Sequence, residues 1–303
     1  MAIKKVQKLP QITRKTLLYK SGVEYASYAL NHVEGCAHGC LYPCYAMMLK
    51  KRCGKIKNYQ EWRHPKIVAN ALELLESELL KLKHKIDHVF LCFATDPFMY
   101  QVKEVQDLSL KIIERLNKDG IRVISISKGV YPENLIKKDV YGINNEYGST
   151  IVSLSENFRK KYEPFAAPIK ERMGALKKLH DAGLKTWVSI EPYPTPNIIK
   201  QDIKEILEAV SFADKIVFGK WNYNGIISYF KDYKSFYNET ARGVIEFCGQ
   251  KGIEVHIKEG TMTSDNTNTN PRPRFEKIYR QKPLFGVIHR FDSKTKKSLV
   301  YFF

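Results

Sequence analysis

Residues Gly35 to Ala46 read GCAHGCLYPCYA and hold three of the chain's six cysteines, Cys36, Cys40 and Cys44. Whether this stretch is a helix or a ligand loop decides how the rest is read. The C-x3-C-x3-C spacing would align the sulfurs on one helical face, but Gly35, Gly39 and Pro43 oppose a regular helix. Pro43 has no backbone donor and pushes Tyr42 out of the α region. A loop that wraps its thiolates around one object fits better, and thiolates so clustered point to a metal or an iron–sulfur cluster before they point to packing. Three thiolates on a four-iron cube leave one iron without a protein ligand. Cys53, nine residues after Cys44, keeps open a closed four-thiolate site for zinc or a structural cluster, although no C-x2-C pair is present.

Working outward, Glu24–Val33 reads as an aromatic, mostly alternating strand before the loop. Lys66–Lys85 repeats apolar residues at helical spacing. Asp87–Ala94 (DHVFLCFA) is a short apolar run of the kind buried on both faces. Further strands are expected at 121–127, 149–154, 184–190, 215–218 and 253–257. Helices are expected at 105–116, 132–138, 169–182, 197–210 and 234–250. This alternation implies right-handed β-α-β units and a parallel sheet. The expected fold is α/β, a partial (β/α)6 TIM-type barrel, with a doubly wound open sheet as the alternative. The expected division is a basic N-terminal arm (1–24), a barrel core (25–260) and a C-terminal loop with a β-hairpin extension (261–303) around Asp292-Ser293-Lys294.

The formal charge is +18 over 303 residues, which attracts polyanions, nucleic acid first. A lysine-rich solvated surface gives the same surplus. Basic residues are densest in 4–20, in Lys50–Lys57 (KKRCGKIK) beside the cysteine loop, and from Arg272 to Lys282. No apolar run is long enough to span a bilayer, and the basic N-terminus lacks the apolar core of a secretory signal. A cytoplasmic protein is therefore expected, where clustered cysteines bind metals rather than pair. Cys92 and Cys248 lie in apolar strand and helix patterns and read as inert buried thiols. His38 reads as support for the loop backbone or a sulfur, with a ligand role as the alternative. There is no P-loop and no serine nucleophile elbow.

In parallel α/β folds chemistry gathers at the C-terminal ends of the strands. Polar residues stand at each expected exit: the cysteines, then Asp96, Lys128, Ser153 with Ser155 and Glu156, Glu191, then Lys220, Trp221 and Asn222, and last His256, Lys258 and Glu259. Each alone reads as a loop residue or helix cap. Together, around a cysteine loop, they describe one mouth.

Asn31–Ala46 (NHVEGCAHGCLYPCYA) resembles the cluster loop of radical S-adenosylmethionine enzymes, most of all the spore photoproduct lyase-like branch. The resemblance extends to Thr95-Asp96-Pro97-Phe98, Ser153-Leu154-Ser155, Glu163-Pro164, Pro168 and Arg172, covering roughly residues 25–225. It implies that Cys36, Cys40 and Cys44 hold a [4Fe–4S] cluster whose open iron binds S-adenosylmethionine. Reductive cleavage then yields a 5′-deoxyadenosyl radical that abstracts hydrogen. It implies Thr95, Asp96, Lys128, Ser153, Ser155 and Arg172 as cofactor contacts, with Asp96 or its neighbours receiving the cofactor's ammonium. Tyr42, Tyr45 and Phe93 are expected to shield the cluster. The electron donor would be of flavodoxin or ferredoxin type.

Two departures from the branch stand out. Its spacing is C-x3-C-x2-C, and Pro43 is the added residue here. Its hydrogen-donor cysteine corresponds to Ala94, while Cys92 lies two residues back, on the same face by strand alternation but deeper, so photoproduct repair is not inferred. Glu191, Lys220, Trp221, Asn222 and Tyr223 are expected to face the substrate, with Trp221 and Tyr223 either stacking on a base or packing beneath the hairpin. The expected function is radical chemistry on nucleic acid or a nucleoside. The alternatives are the same chemistry on a peptide or small molecule, or a non-catalytic cluster or zinc protein that binds nucleic acid.

Overall fold

The computed structural model describes residues 8–22 and 26–263, and the backbone of 288–292 and 297–301. Its strands are β1 (Gln11–Ile12), β2 (Leu18–Lys20), β3 (Tyr28–Leu30), β4 (Val33–Glu34), β5 (Lys66–Val68), β6 (His88–Leu91), β7 (Arg122–Ser127), β8 (Glu146–Thr150), β9 (Lys185–Tyr193), β10 (Lys215–Lys220), β11 (Glu254–Ile257), β12 (Ile288–Asp292) and β13 (Lys297–Tyr301). Its α-helices are α1 (Tyr45–Arg52), α2 (Tyr59–Trp62), α3 (Ala71–Leu82), α4 (Lys103–Lys118), α5 (Lys138–Tyr141), α6 (Glu156–Tyr162), α7 (Ile169–Asp181), α8 (Ile203–Ala209) and α9 (Tyr233–Lys251).

The main sheet runs β11-β10-β9-β8-β7-β6-β3-β2. Every pairing in it is parallel except β2 with β3. Its strands alternate with helices, as a partial TIM-type barrel requires. A small second sheet, β1-β5-β4, lies beside the start of the cysteine loop. Met1–Thr263 forms one compact unit and Ser264–Phe303 another, within which β12 and β13 pair antiparallel.

Strand alternation sorts the core into two layers. Val89, Leu91, Val123, Val188, Ile216 and Phe218 belong to the large cluster that meets the helices. The intervening Phe90, Ile124, Trp187 and Val217, with Ala29 of β3, form a separate cluster on the inner face of the curved sheet. The helices offer matching stripes: Ala71, Leu75 and Leu79 on α3, and Val105, Ser109, Ile112, Ile113 and Leu116 on α4. Among the described residues no helix is long and apolar enough to cross a membrane.

Several elements differ from expectation. Lys66–Lys85 is not one helix, because the β-branched pair Ile67-Val68 joins the small sheet before α3 begins. The described part of the N-terminal arm is also structured, since β1 pairs with β5 and β2 with β3. The fourth barrel strand ends at Thr150 rather than Leu154, so Ser153 and Ser155 lie in the turn that follows it.

The inner core sets a testable constraint. A Cβ on Gly148 of β8 would lie 2.3 Å from the Trp187 ring. Gly148→Ala should therefore destabilise the protein by about 1–3 kcal/mol through overpacking. Gly174→Ala on α7, where nothing lies within 4 Å, should stabilise by about 0.5–1 kcal/mol. Urea denaturation of the two variants reads both signs.

Candidate functional site

The cysteine loop is irregular from Gly35 to Cys44, and Cys44 is the N-cap of α1. Its backbone is tied down on several sides. Cys36 N–H donates to Trp62 O (2.9 Å) and Leu41 N–H to Tyr162 O (2.8 Å). Ala37 N–H donates to Met99 Sδ (3.4 Å), and Tyr59 Oη–H to Gly39 O. Phe165 N–H closes the far side on His38 O (3.4 Å). Gly39 has φ +53, and a Cβ there would push on the Tyr59 hydroxyl and the Arg63 side chain, so glycine suits this crossing.

Buried His38 links the loop to the barrel. Tyr100 N–H donates to its Nε2 (2.8 Å), so Nδ1 carries the proton and faces Asp96 Oδ2 at 3.2 Å. Asp96 also accepts from Phe98 N–H (2.9 Å) and Ser127 Oγ–H (2.8 Å) on Oδ1, and from Lys128 N–H (2.8 Å) on Oδ2. Burial alone would raise its pKa, but His38 and these donors hold it below the ordinary aspartate value. A carboxylate offers about four acceptor positions, and protein donors occupy them here. Asp96 thus serves as the clamp between loop and barrel with its acceptor positions filled, whereas the resemblance implied that Asp96 or its neighbours receive the cofactor's ammonium.

A second buried network lies behind Cys40. Tyr42 Oη–H donates to Glu163 Oε1 (2.6 Å), and its hydroxyl also contacts the Cys40 thiol. Glu163 Oε2 accepts from Arg172 Nη2 at 2.5 Å, with both side chains buried. Arg172 donates further to Ala167 O and Thr150 O. Burial would raise the Glu163 pKa, but Arg172, then Lys128, bring it below the ordinary glutamate value. Lys128 is half-buried, with its ammonium 5.5 Å from the Tyr42 ring centroid. Burial lowers its pKa, yet Cys40 and Glu163 outweigh that and hold it above the usual lysine value, so it stays cationic. Among the described residues no carboxylate lies within salt-bridge distance of its Nζ.

The three cysteines are free and half-buried. Burial, then the Asp96 charge and the neighbouring thiols, push Cys36 well up. Burial pushes Cys40 to about 12 against the opposing pull of Lys128. His38 N–H bonds to the Cys36 thiol. Three free thiols on one half-buried loop fit a group that replaces their protons with positive charge. Among the described residues no three His, Cys, Asp or Glu converge on a point that would hold a single ion. A cube that takes its thiolates at separate corners does not need such convergence. Cys53 is exposed at the C-cap of α1.

The other expected contacts divide. Ser155 Oγ caps α6 by accepting Phe158 N–H, and Ser153 Oγ accepts Ser155 N–H, so both support the local turn. Arg172 is committed to its buried pair. Thr95 is half-buried and donates its N–H to Cys92 O (3.1 Å). Trp221 is buried edge-on against Tyr42, Phe158 and Tyr162, which leaves no open face for a base. Tyr223 is 66% exposed and stacks on Tyr45, itself 54% exposed and adjacent to Cys44. Of the expected shield only Tyr42 is buried, and Phe93 is exposed. Glu191, Lys220 and Asn222 are half-buried. Gly219 makes room on the barrel wall, because a Cβ there would lie 2.8 Å from Glu191 Cδ and 3.0 Å from Lys258 Cγ.

Cys92 is not on the face that strand alternation assigned. The strand ends at Leu91, and Cys92 leaves it at φ +58 with no exposed surface. Its Sγ meets His32 Nδ1 at 3.3 Å, and His32 Nε2 lies 2.9 Å from Ser109 Oγ of α4. Burial pushes the thiol to about 12 and the imidazole down to about 4. Both are therefore neutral near pH 7, forming a polar spacer between sheet and helix.

The comparisons with known proteins agree with this geometry. The family model of the Radical SAM superfamily matches residues 30–210, and the chain belongs to that superfamily. An uncharacterised protein of Acidianus two-tailed virus is 28% identical over 198 residues, covering 60% of this chain and 61% of its own. An uncharacterised protein of Methanocaldococcus jannaschii is 27% identical over 198 residues, covering 65% of this chain and 71% of its own. Spore photoproduct lyase complexed with dinucleoside spore photoproduct superposes with a TM-score of 0.61 at 16% identity, covering 81% of each chain. A double mutant of that lyase, with bound AdoMet and the same dinucleoside, gives 0.58 at 15% identity, covering 81% of this chain and 80% of the other. These two likenesses show the shared fold.

The Glu163–Arg172 pair yields a prediction. Arg172→Met leaves a buried carboxylate unpaired and should cost about 3–5 kcal/mol near pH 7. The folded Glu163 pKa lies below its ordinary value of 4.5. Its contribution is thus present above that value and is lost as the pH falls through the folded pKa. Glu163→Gln should lack this part of the acid limb, which urea titrations from pH 7 down to pH 3 will show.

Proposed function

We propose that this chain is a radical S-adenosylmethionine enzyme whose Cys36, Cys40 and Cys44 hold a [4Fe–4S] cluster with one iron open to the cofactor. The observation that carries this reading is a trio of half-buried thiols on one loop, its backbone fixed from several sides, within a barrel of this superfamily. When bound, the cluster supplies the electron that cleaves S-adenosylmethionine to methionine and a 5′-deoxyadenosyl radical. The chain's own residues prepare that event. His38 and Asp96 hold the loop against the exits of β6 and β7. Lys128, cationic and without a carboxylate partner among the described residues, is the group to receive the cofactor's carboxylate. Tyr42 and the Glu163–Arg172 pair keep water from the Cys40 side.

The substrate we favour is nucleic acid or a nucleoside. The +18 charge and the exposed Tyr45–Tyr223 stack support it, since aromatic faces beside cations suit bases and phosphates. The solved relatives carry a dinucleoside, which adds support by likeness. Glu191, Lys220, Asn222 and Tyr223 are the residues we assign to the substrate side. We place the catalytic core at residues 25–260 and the protein in the cytoplasm, where six free cysteines stay reduced.

Anaerobic reconstitution with iron and sulfide, followed by dithionite and S-adenosylmethionine, should yield 5′-deoxyadenosine. Cys44→Ala should lose the brown chromophore and the product, while Cys248→Ala keeps both. Stoichiometric zinc in place of iron, with no 5′-deoxyadenosine, would refute the reading. Binding of single-stranded DNA or RNA that weakens steeply between 50 and 200 mM salt, roughly the range over which phosphate contacts are screened, would distinguish a nucleic-acid substrate from a peptide or small molecule.

A further inference from the structure

Behind Cys40 stands a row of polar groups whose direction the proposed chemistry has not used. Tyr42, Glu163 and Arg172 are buried, at 6%, 3% and 1% exposure. Arg172 anchors one end. Its Nε donates to Ala167 O (2.7 Å), its Nη1 to Thr150 O (3.0 Å) and its Nη2 to Glu163 Oε2 (2.5 Å). The other carboxylate oxygen, Glu163 Oε1, accepts Tyr42 Oη–H at 2.6 Å. At the far end the Tyr42 hydroxyl meets the Cys40 thiol. Trp221 stands edge-on to the Tyr42 ring at 5.4 Å and is itself packed against Phe158 and Tyr162, so the ring is held. What remains free to turn at this junction is the O–H bond.

A phenol has a single proton to donate, and an ionised carboxylate only accepts. A hydrogen bond from a hydroxyl to a carboxylate is short and charge-assisted. Tyr42 therefore gives its proton to Glu163 and turns oxygen lone pairs toward Cys40. Hydrogen bonds to the sulfurs help set the potential of an iron–sulfur cluster. A donor on a ligand sulfur draws charge from it, eases reduction and leaves the reduced cluster a weaker reductant. A cluster that must pass an electron to a sulfonium is better served by a sulfur without that donor.

We propose that Glu163 is a positioning residue that holds the Tyr42 proton away from the Cys40 sulfur and so keeps the cluster strongly reducing. The proposal rests on the radical S-adenosylmethionine reading and adds a control over its electron. No covalent bond breaks and no proton is transferred; the direction of one O–H bond carries the effect. Glu163→Gln reverses the row. Arg172 can only donate, so it takes the amide oxygen, and the amide N–H turns to Tyr42. The phenol oxygen then accepts, and its proton points at Cys40.

Midpoint potentials of the reconstituted full chain, read by redox titration with electron paramagnetic resonance, form a double-mutant cycle. Glu163→Gln should raise the potential by about 60 mV or more, a ten-fold shift in the one-electron equilibrium. In a Tyr42→Phe background the same substitution should move it less than half as far, because there the lost charge acts alone. Lys128 also bears on Cys40, but it is present in every variant compared. No rise in Glu163→Gln, or an equal rise in both backgrounds, would overturn the proposal. Two further readouts do not need the Glu163→Gln variant. Deuteron couplings of the reduced cluster in D2O should be the same in the wild type and in Tyr42→Phe, and a coupling lost with the hydroxyl would overturn it. The cluster-free wild type should show a low-field hydroxyl proton resonance that Tyr42→Phe removes, and its absence would overturn it too. Uptake of zinc in place of iron refutes the enzymatic reading, whereas a reducible cluster with an unmoved potential refutes only the role of Glu163. The hydroxyl resonance decides the direction of the bond in either case.

Discussion

The Asp96 carboxylate joins three pieces of chain at one point. It receives the imidazole of His38 from the cysteine loop, the Ser127 hydroxyl and Lys128 N–H from the exit of β7, and Phe98 N–H from its own turn. Buried charges are costly unless fully bonded, and this one is satisfied only when all three pieces arrive together. The loop is then tied to the barrel in one conformation, which fixes the backbone that carries its thiols. Pre-organisation of that kind matters most for ligands that must leave one coordination position open.

The Glu163–Arg172 pair does the same work from the other side. It is a buried ion pair, which by itself is weak evidence for stability. Its bonds explain its presence better: the carboxylate holds Tyr42 beneath the loop, and the guanidinium reaches back to carbonyls at Thr150 and Ala167. Lys128 lies between the two networks and feels Cys40, Glu163 and Asp96 at once. It remains charged in a desolvated place because three anionic or potentially anionic groups surround it. An incoming carboxylate would find a cation that is partly withdrawn from water.

The alternation of strands and helices is legible in the sequence because a two-faced buried strand and an amphipathic helix leave different periods. The cysteines are legible because three thiols within nine residues seldom serve packing alone. What is not legible depends on pairs far apart in the chain. Glu163 and Arg172 are nine residues apart, a spacing that matches no helical or strand neighbour rule. The roles of Asp96, Ser153 and Ser155 escape a sequence reading because polar residues at strand exits look alike until their donors are known. Cys92 escapes it because alternation runs only to the end of β6, and the left-handed turn one residue later carries no mark in the sequence. Trp221 illustrates the same limit, since an aromatic residue at a mouth and one wedged among three other rings carry the same letter.

Pro43, the residue that makes the cysteine spacing unusual, acquires a structural reading from its neighbours. Tyr42 turns inward to Glu163 and Trp221, and Cys44 opens α1 as its N-cap. The chain must leave a buried side chain and start a helix within two steps. A proline just ahead of the N-cap suits this, because it has no N–H to satisfy and keeps the preceding residue out of the helical region. Because α1 starts at Tyr45, the ring stacked on Tyr223 follows directly from the third thiol. The added residue thus separates two demands that a shorter loop would force onto one position: an inward tyrosine that shelters Cys40, and an outward one that stacks on Tyr223.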